Sequence, residues 1–166
     1  PHPDLLMRVL NGEFPEETTL PTALPDAAEF ILRGFMPPLL TLDSSQAWTR
    51  WWDGYVATYL ERDLRQVAQI DALLDFRRVM ELAALRSGQL INQSELSRDA
   101  RLSQPTTHRY LNLLETTHLF ERLPAYTASR TTRLLKSPKA FFNDPALAVF
   151  LSGYFGDELI KASEAM

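Results

Sequence analysis

The chain reads as mainly α-helical, with a helical amino-terminal part followed by a winged-helix core: a helix-turn-helix closed by a β-hairpin. Three observations lead there. Trp48, Trp52, Tyr55 and Tyr59 recur at steps of four, three and four, the period of a single helix face. Two short segments, each opening on a capping residue (Asn92 and Ser103), flank a tight break at 101–103. Two strand-like runs, 119–123 and 133–142, then enclose a polar turn.

The elements follow in order. Residues 1–45 form a proline-punctuated lead-in, where Pro15, Pro21, Pro25, Pro37 and Pro38 limit helices to short pieces. A short helix is expected over 26–32, stopping at Gly34, and Met36 to Leu40 reads as an extended linker. A helical subdomain occupies 46–88. Its first helix is expected from a Ser45 cap to about residue 68, and its second over 71–87, ended by Gly88. The winged-helix domain with its closing helix covers 89–156. Asn92 with Glu95 resembles a capping box, and Ser103 caps a second helix with Pro105 in its first turn. Asp144-Pro145 opens the last helix, Gly153 ends it, and 157–166 is a helical tail.

Bulk properties bound the function. The 166 residues are 45% apolar and 23% charged, ordinary for a globular domain. No apolar run is long enough for a membrane span, and no cleavable leader is recognisable. With no cysteine there are no disulfides or thiolate sites, which fits a cytoplasmic home. The first residue is Pro1 and not Met, which suggests a piece of a longer chain. Net charge is −4, unevenly spread: residues 89–142 carry eight Lys and Arg against four Asp and Glu, a net of +4, leaving −8 elsewhere. One segment is thus suited to phosphate, and the rest is not.

No glycine-rich loop ending in Lys and Ser or Thr is present, so no cofactor is expected in this chain. His2, His108 and His118 stand apart at no metal-ligand or dyad spacing, so no catalytic residue is assigned. Nucleic-acid reading remains. The start of the second helix of a helix-turn-helix meets base edges, and here it carries Gln104, Thr106, Thr107, His108 and Arg109. Arg98 and Arg101 are placed to touch phosphate from the first helix and turn, and Arg130, Arg133, Lys136 and Lys139 from the wing. The same surface could instead dock protein. Tyr59, Arg62 and Asp63, polar groups beside the aromatic stripe, are candidates for an interdomain or structural contact.

Four stretches resemble the carboxy-terminal region, of unassigned function, of a group of bacterial and archaeal AAA-type ATPases. They are Leu32 to Pro37; Thr58-Tyr59-Leu60-Glu61-Arg62-Asp63-Leu64; Leu82 to Asn92 with Glu95-Leu96 and Thr106 to Leu114; and Lys136 to Asp144 with Ala148 and Leu151. The likeness covers roughly 30–155. It departs at Phe35-Met36, where Gly-Phe is usual, and at Pro145-Ala146-Leu147, where Thr-Gly-Leu is usual. It implies an upstream nucleotide-binding domain that would hold ATP and magnesium, and a downstream nuclease-like part whose motifs this chain lacks. It leaves room for assembly into oligomers through the parent protein. The leading expectation is a non-catalytic accessory domain that binds double-stranded DNA or a protein partner and no membrane. The alternatives are a free-standing DNA-binding transcriptional regulator and, third, an enzyme, for which no cluster of titratable groups can be assembled.

Overall fold

The computed structural model describes residues 27–63, 72–127, 129, 131 and 136–154. The early lead-in, the expected helix beyond residue 63, Arg130, Arg133 and the tail at 157–166 lie outside the described residues. The order is α1 (Ala27–Arg33), a 3₁₀ turn (Pro37–Thr41), α2 (Ser45–Tyr55), a π-helix (Val56–Asp63), α3 (Leu73–Ala84), α4 (Gln93–Ala100), α5 (Gln104–Thr116), β1 (Phe120–Leu123), β2 (Lys139–Phe142) and α6 (Pro145–Leu151). The protein is mainly helical, with one small two-stranded antiparallel sheet among the described residues.

Two local expectations are corrected. Met36 to Leu40 is not an extended linker. Met36 is extended, the conformation favoured before proline, but Pro37 and Pro38 then start the 3₁₀ turn and Leu39 enters the core, fully buried. The cap of α2 is Ser44 and not Ser45. Ser44 has extended backbone, so its hydroxyl reaches the Ala47 amide at 3.2 Å, whereas Ser45 is already helical.

The aromatic stripe divides its duties. Trp52 is buried, and its indole N–H donates to the Arg33 carbonyl at 3.3 Å. Trp48 donates to the Leu42 carbonyl at 2.8 Å. Trp51, Tyr55 and Tyr59 stack as a ladder with centroids 5.2 and 5.3 Å apart, running from α2 onto the π-helix. Burial of the Tyr55 ring pushes its phenol pKa up to about 12, with Tyr59 and Asp144 adding to the effect.

A single apolar cluster runs from Leu39 and Trp52 through Phe76 and Met80 to Leu111 and Leu147. Each such buried side chain contributes about 1.5–3 kcal/mol. The central element is α3, which packs on α4, α5, α6 and β2. It buries Phe76, Val79, Met80, Ala83 and Ala84, a helical face readable from their spacing.

The sheet is set by its register, Phe120 opposite Phe142 and Leu123 opposite Lys139. Its inner face buries Phe120, Ala140 and Phe142, while Leu90 forms a single antiparallel bridge to Lys139 from the other edge of β2. Asp144 closes the structure. One carboxylate oxygen accepts from the Ala146 amide, capping α6, and the other accepts from the Phe35 amide 109 residues earlier, both at 2.9 Å. Gly34, at φ +82°, sits so close that a Cβ there would lie 2.5 Å from that carboxylate.

Candidate nucleic-acid interface

The positively charged segment folds as α4, a tight turn, α5 and the hairpin. Asn92 caps α4 by accepting from the Ser94 and Glu95 amides at 2.9 and 3.3 Å. The helix stops at Arg101, which adopts left-handed backbone (φ 57°, ψ 41°), and Leu102 donates its amide to the Ser97 carbonyl at 2.9 Å. From α3, Arg78 donates to the Ala100 carbonyl at 3.0 Å and so satisfies the end of α4. Ser103 then caps α5 through the Thr106 amide at 3.3 Å, and Pro105 sits in the first turn, where its missing N–H costs nothing.

The side chains expected to meet nucleic acid have separate fates. Arg98, Arg101, Gln104, Arg109, Lys136 and Lys139 are exposed. Arg109 makes no hydrogen bond or ion pair with a described residue, and its guanidinium lies over the Tyr110 ring, 5.4 Å from the centroid. Thr106 is half-buried, with its hydroxyl bonded to Ser103 at 2.8 Å. Thr107 is corrected: it is fully buried, and its hydroxyl donates to the Ser103 carbonyl at 3.2 Å, so it stabilises the helix start and reaches no ligand. Its place on the inner side of α5, three residues before Tyr110 and four before Leu111, is the physical reason. Lys136 lies at a bend before β2 and not in a strand.

The sequence did not single out a polar row along α5. His108, Asn112 and Glu115, at helical spacings of four and three, share a face. His108 Nδ1 is 3.0 Å from Gln93 Oε1 of α4, and its Nε2 is 3.0 Å from Asn112 Nδ2. Asn112 Oδ1 accepts from Arg122 of β1 at 2.6 Å, and Arg122 is forked onto Glu115. The Arg122 guanidinium holds the Glu115 carboxyl below its ordinary range, more strongly than its partial burial raises it. Beside this row a groove of about 330 Å³ is lined by Asn92, Gln93, Ser94, Arg122 and Lys136 among others.

Two of the four acids of the segment are thereby neutralised: Glu115 by Arg122, and Asp99 by Arg86 of the turn after α3. Glu95 and Glu121 remain exposed and without an ion pair to a described residue. The other face of the hairpin is different in kind. Leu90, Leu123 and Phe141 are 65%, 52% and 37% exposed there, around Lys139 and Glu121.

Gly34, Gly88 and Gly153 take positive φ after the carboxy-terminal ends of helices, the negative end of the dipole, and Gly34 packs on a carboxylate. Among the described residues no three His, Asp or Glu side chains are grouped to hold a metal ion, and no helix is long and apolar enough to cross a membrane. Tyr59 is 38% exposed and stacked on Tyr55, Arg62 is exposed on the π-helix, and Asp63 ends it.

Comparison with known proteins places this architecture in a family. Residues 24–158 match the family described as a domain of unknown function, DUF8612. Two relatives, the uncharacterized proteins Rv2008c of Mycobacterium tuberculosis and Mb2031c of Mycobacterium bovis, are each 35% identical over 122 residues. That stretch is 74% of this chain and 28% of each relative, so the chain spans less than a third of their length. No solved structure matches the chain.

Proposed function

We propose that this chain, which belongs to the family described as domain of unknown function DUF8612, is a winged-helix accessory domain of a cytoplasmic AAA-type ATPase that binds duplex DNA and carries no catalysis itself. The observation that carries the reading is the group of exposed cations on the α4-turn-α5 unit and the start of β2: Arg98, Arg101, Arg109, Lys136 and Lys139. Helix α3, the Leu90 bridge, α4, α5 and the hairpin follow in the order of a winged helix. The ATPase association rests on the four sequence stretches and on the length of the relatives, which leaves room for an ATP-binding domain elsewhere. ATP and magnesium belong to that domain.

The test is fluorescence anisotropy with a labelled duplex at 50 and 200 mM salt. If Arg98, Arg101, Lys136 and Lys139 each neutralise one phosphate, affinity falls about a hundredfold across that range. A variant with alanine at Arg101, Arg109, Lys136 and Lys139, shown to be folded by circular dichroism, should not bind. Binding that ignores salt, or survives in the variant, refutes the reading.

A second reading has its own observation. The outer hairpin face bearing Leu90, Leu123 and Phe141 is apolar enough for protein docking. If wild type binds no duplex, the winged helix docks protein, and the ATPase domain is the partner to test.

A further inference from the structure

We propose that His108 is a positioning residue: a hydrogen-bond row from α4 through α5 to β1 holds its ring as the Nδ1–H tautomer, which leaves Arg109 to read a guanine in the duplex. The inference rests on the DNA reading above and names the chemistry it would recognise.

The two ends of the row fix its direction. Gln93 Nε2 is 3.3 Å from the Gln104 carbonyl, which can only accept, so the Gln93 amide is oriented with Oε1 toward His108. An amide oxygen only accepts, so His108 Nδ1 must carry the proton. At the other end the Arg122 guanidinium can only donate, so Asn112 presents Oδ1 to it at 2.6 Å. Asn112 Nδ2 therefore donates to His108 Nε2 at 3.0 Å, and that nitrogen carries no proton. Every link is forced by a group with no second role.

The consequence concerns recognition. His108 is exposed at the middle of the outer face of α5, yet both ring nitrogens are engaged. It has no N–H left for a base. Thr106 is bonded to Ser103 and Thr107 is buried. Arg109, next to His108, keeps its guanidinium uncommitted to any described hydrogen-bonding partner, with the Tyr110 ring beneath it. A guanidinium fork matches guanine N7 and O6, the commonest specific contact in the major groove. The row also ties the first turn of α4 and the strand β1 to α5, so it sets how far Arg109 projects relative to the wing.

Two measurements decide it. In ¹⁵N-edited NMR of the wild-type chain, His108 should show a protonated Nδ1 and an unprotonated Nε2. Asn112→Asp can only accept at Nε2 while Gln93 still accepts at Nδ1, so it should add a proton signature at Nε2 and keep the one at Nδ1. A wild-type ring protonated at Nε2 overturns the positioning role. Separately, duplexes selected from a random 20-base-pair pool should share a guanine. Arg109→Ala should weaken binding to them by at least about tenfold, the discrimination of one bidentate pair, and leave affinity for the unselected pool within about threefold. Arg109→Lys should not restore the preference, since an ammonium lacks the fork. Pool binding without any preference sinks the guanine assignment and spares the DNA reading. No binding to the pool at all removes both.

Discussion

Replacing Gly34 with alanine tests the closure of the fold most directly. Two separate costs meet at this position. At φ +82° an L side chain is strained by about 1–2 kcal/mol. The new methyl would also stand 2.5 and 2.9 Å from the two Asp144 oxygens and 2.9 Å from Ala146 Cβ, closer than real contacts allow. Asp144 is buried and cannot swing into solvent, so relief must come from its bonds to the Phe35 and Ala146 amides. A hydrogen bond to a charged group is worth about 1.5–3 kcal/mol, so losing one brings the total to roughly 3–5 kcal/mol. For a chain of this size that is on the order of 10 °C in Tm, read by urea and thermal unfolding. Gly34→Ala should also be non-additive with Asp144→Ala. Once the carboxylate is gone, only the backbone strain and the Ala146 contact remain, and the second cost should shrink by about 1 kcal/mol or more. A single-variant cost below about 1 kcal/mol, or strict additivity, would show that Gly34 and Asp144 are not in contact in solution.

Three further outcomes are expected. The Glu115 carboxyl is held below its ordinary pKa of 4.5 by Arg122, so its stabilising contribution is present above that value and lost as pH falls through the lower folded value; Glu115→Gln should flatten the acid limb of stability against pH below about 4.5, and an unchanged limb would refute the pairing. Tyr55 has the opposite sign: its phenol is raised to about 12 from 10.0, so its contribution is present below pH 10 and lost as pH rises toward 12, and Tyr55→Phe should remove that alkaline sensitivity in unfolding titrations. His118 is a non-glycine residue at φ 56°, and it is held through its backbone alone, the amide donating to the Glu115 carbonyl and the carbonyl accepting from Asn143; His118→Gly keeps both bonds and should raise stability by about 1 kcal/mol, and a lower Tm would contradict the geometry.

The legible parts of the fold were those with local causes. Asn92, Ser103 and Asp144 announce helix starts because an N-cap needs only its own side chain and an amide two or three residues on. Gly34 and Gly153 announce helix ends for the same local reason. What escaped the sequence was decided at a distance. The Met36 to Leu40 stretch turns because Leu39 has a core to enter, and no periodicity in five residues records that. In the candidate site the six exposed polar and basic positions were identifiable by type, but Thr107 was not separable from Thr106 without knowing which side of α5 faces inward. The polar row was half visible: the spacing of His108, Asn112 and Glu115 puts them on one face, while their partners Gln93 and Arg122 come from other elements.

The residues of the four stretches on which the proposed ATPase association rests are largely the ones that hold elements together. Gly34 and Phe35 of the first stretch meet Asp144 of the last, and Gly88, Gln89 and Ile91 of the third exchange backbone hydrogen bonds with Pro138 and Ala140 of the last. Motifs of this kind specify architecture, so function has to be argued from the exposed groups between them. There the overall charge of −4 is a poor guide. Asp99 and Glu115 are matched by Arg86 and Arg122, which leaves Arg98, Arg101, Arg109, Lys136 and Lys139 against Glu95 and Glu121 among the exposed charges described between 89 and 142. Under the proposed reading a duplex would meet this exposed set, five cations against two acids, and not the average charge of the chain. If duplex binding holds as proposed, these cations orient it, with α4, α5 and the start of β2 toward the phosphates.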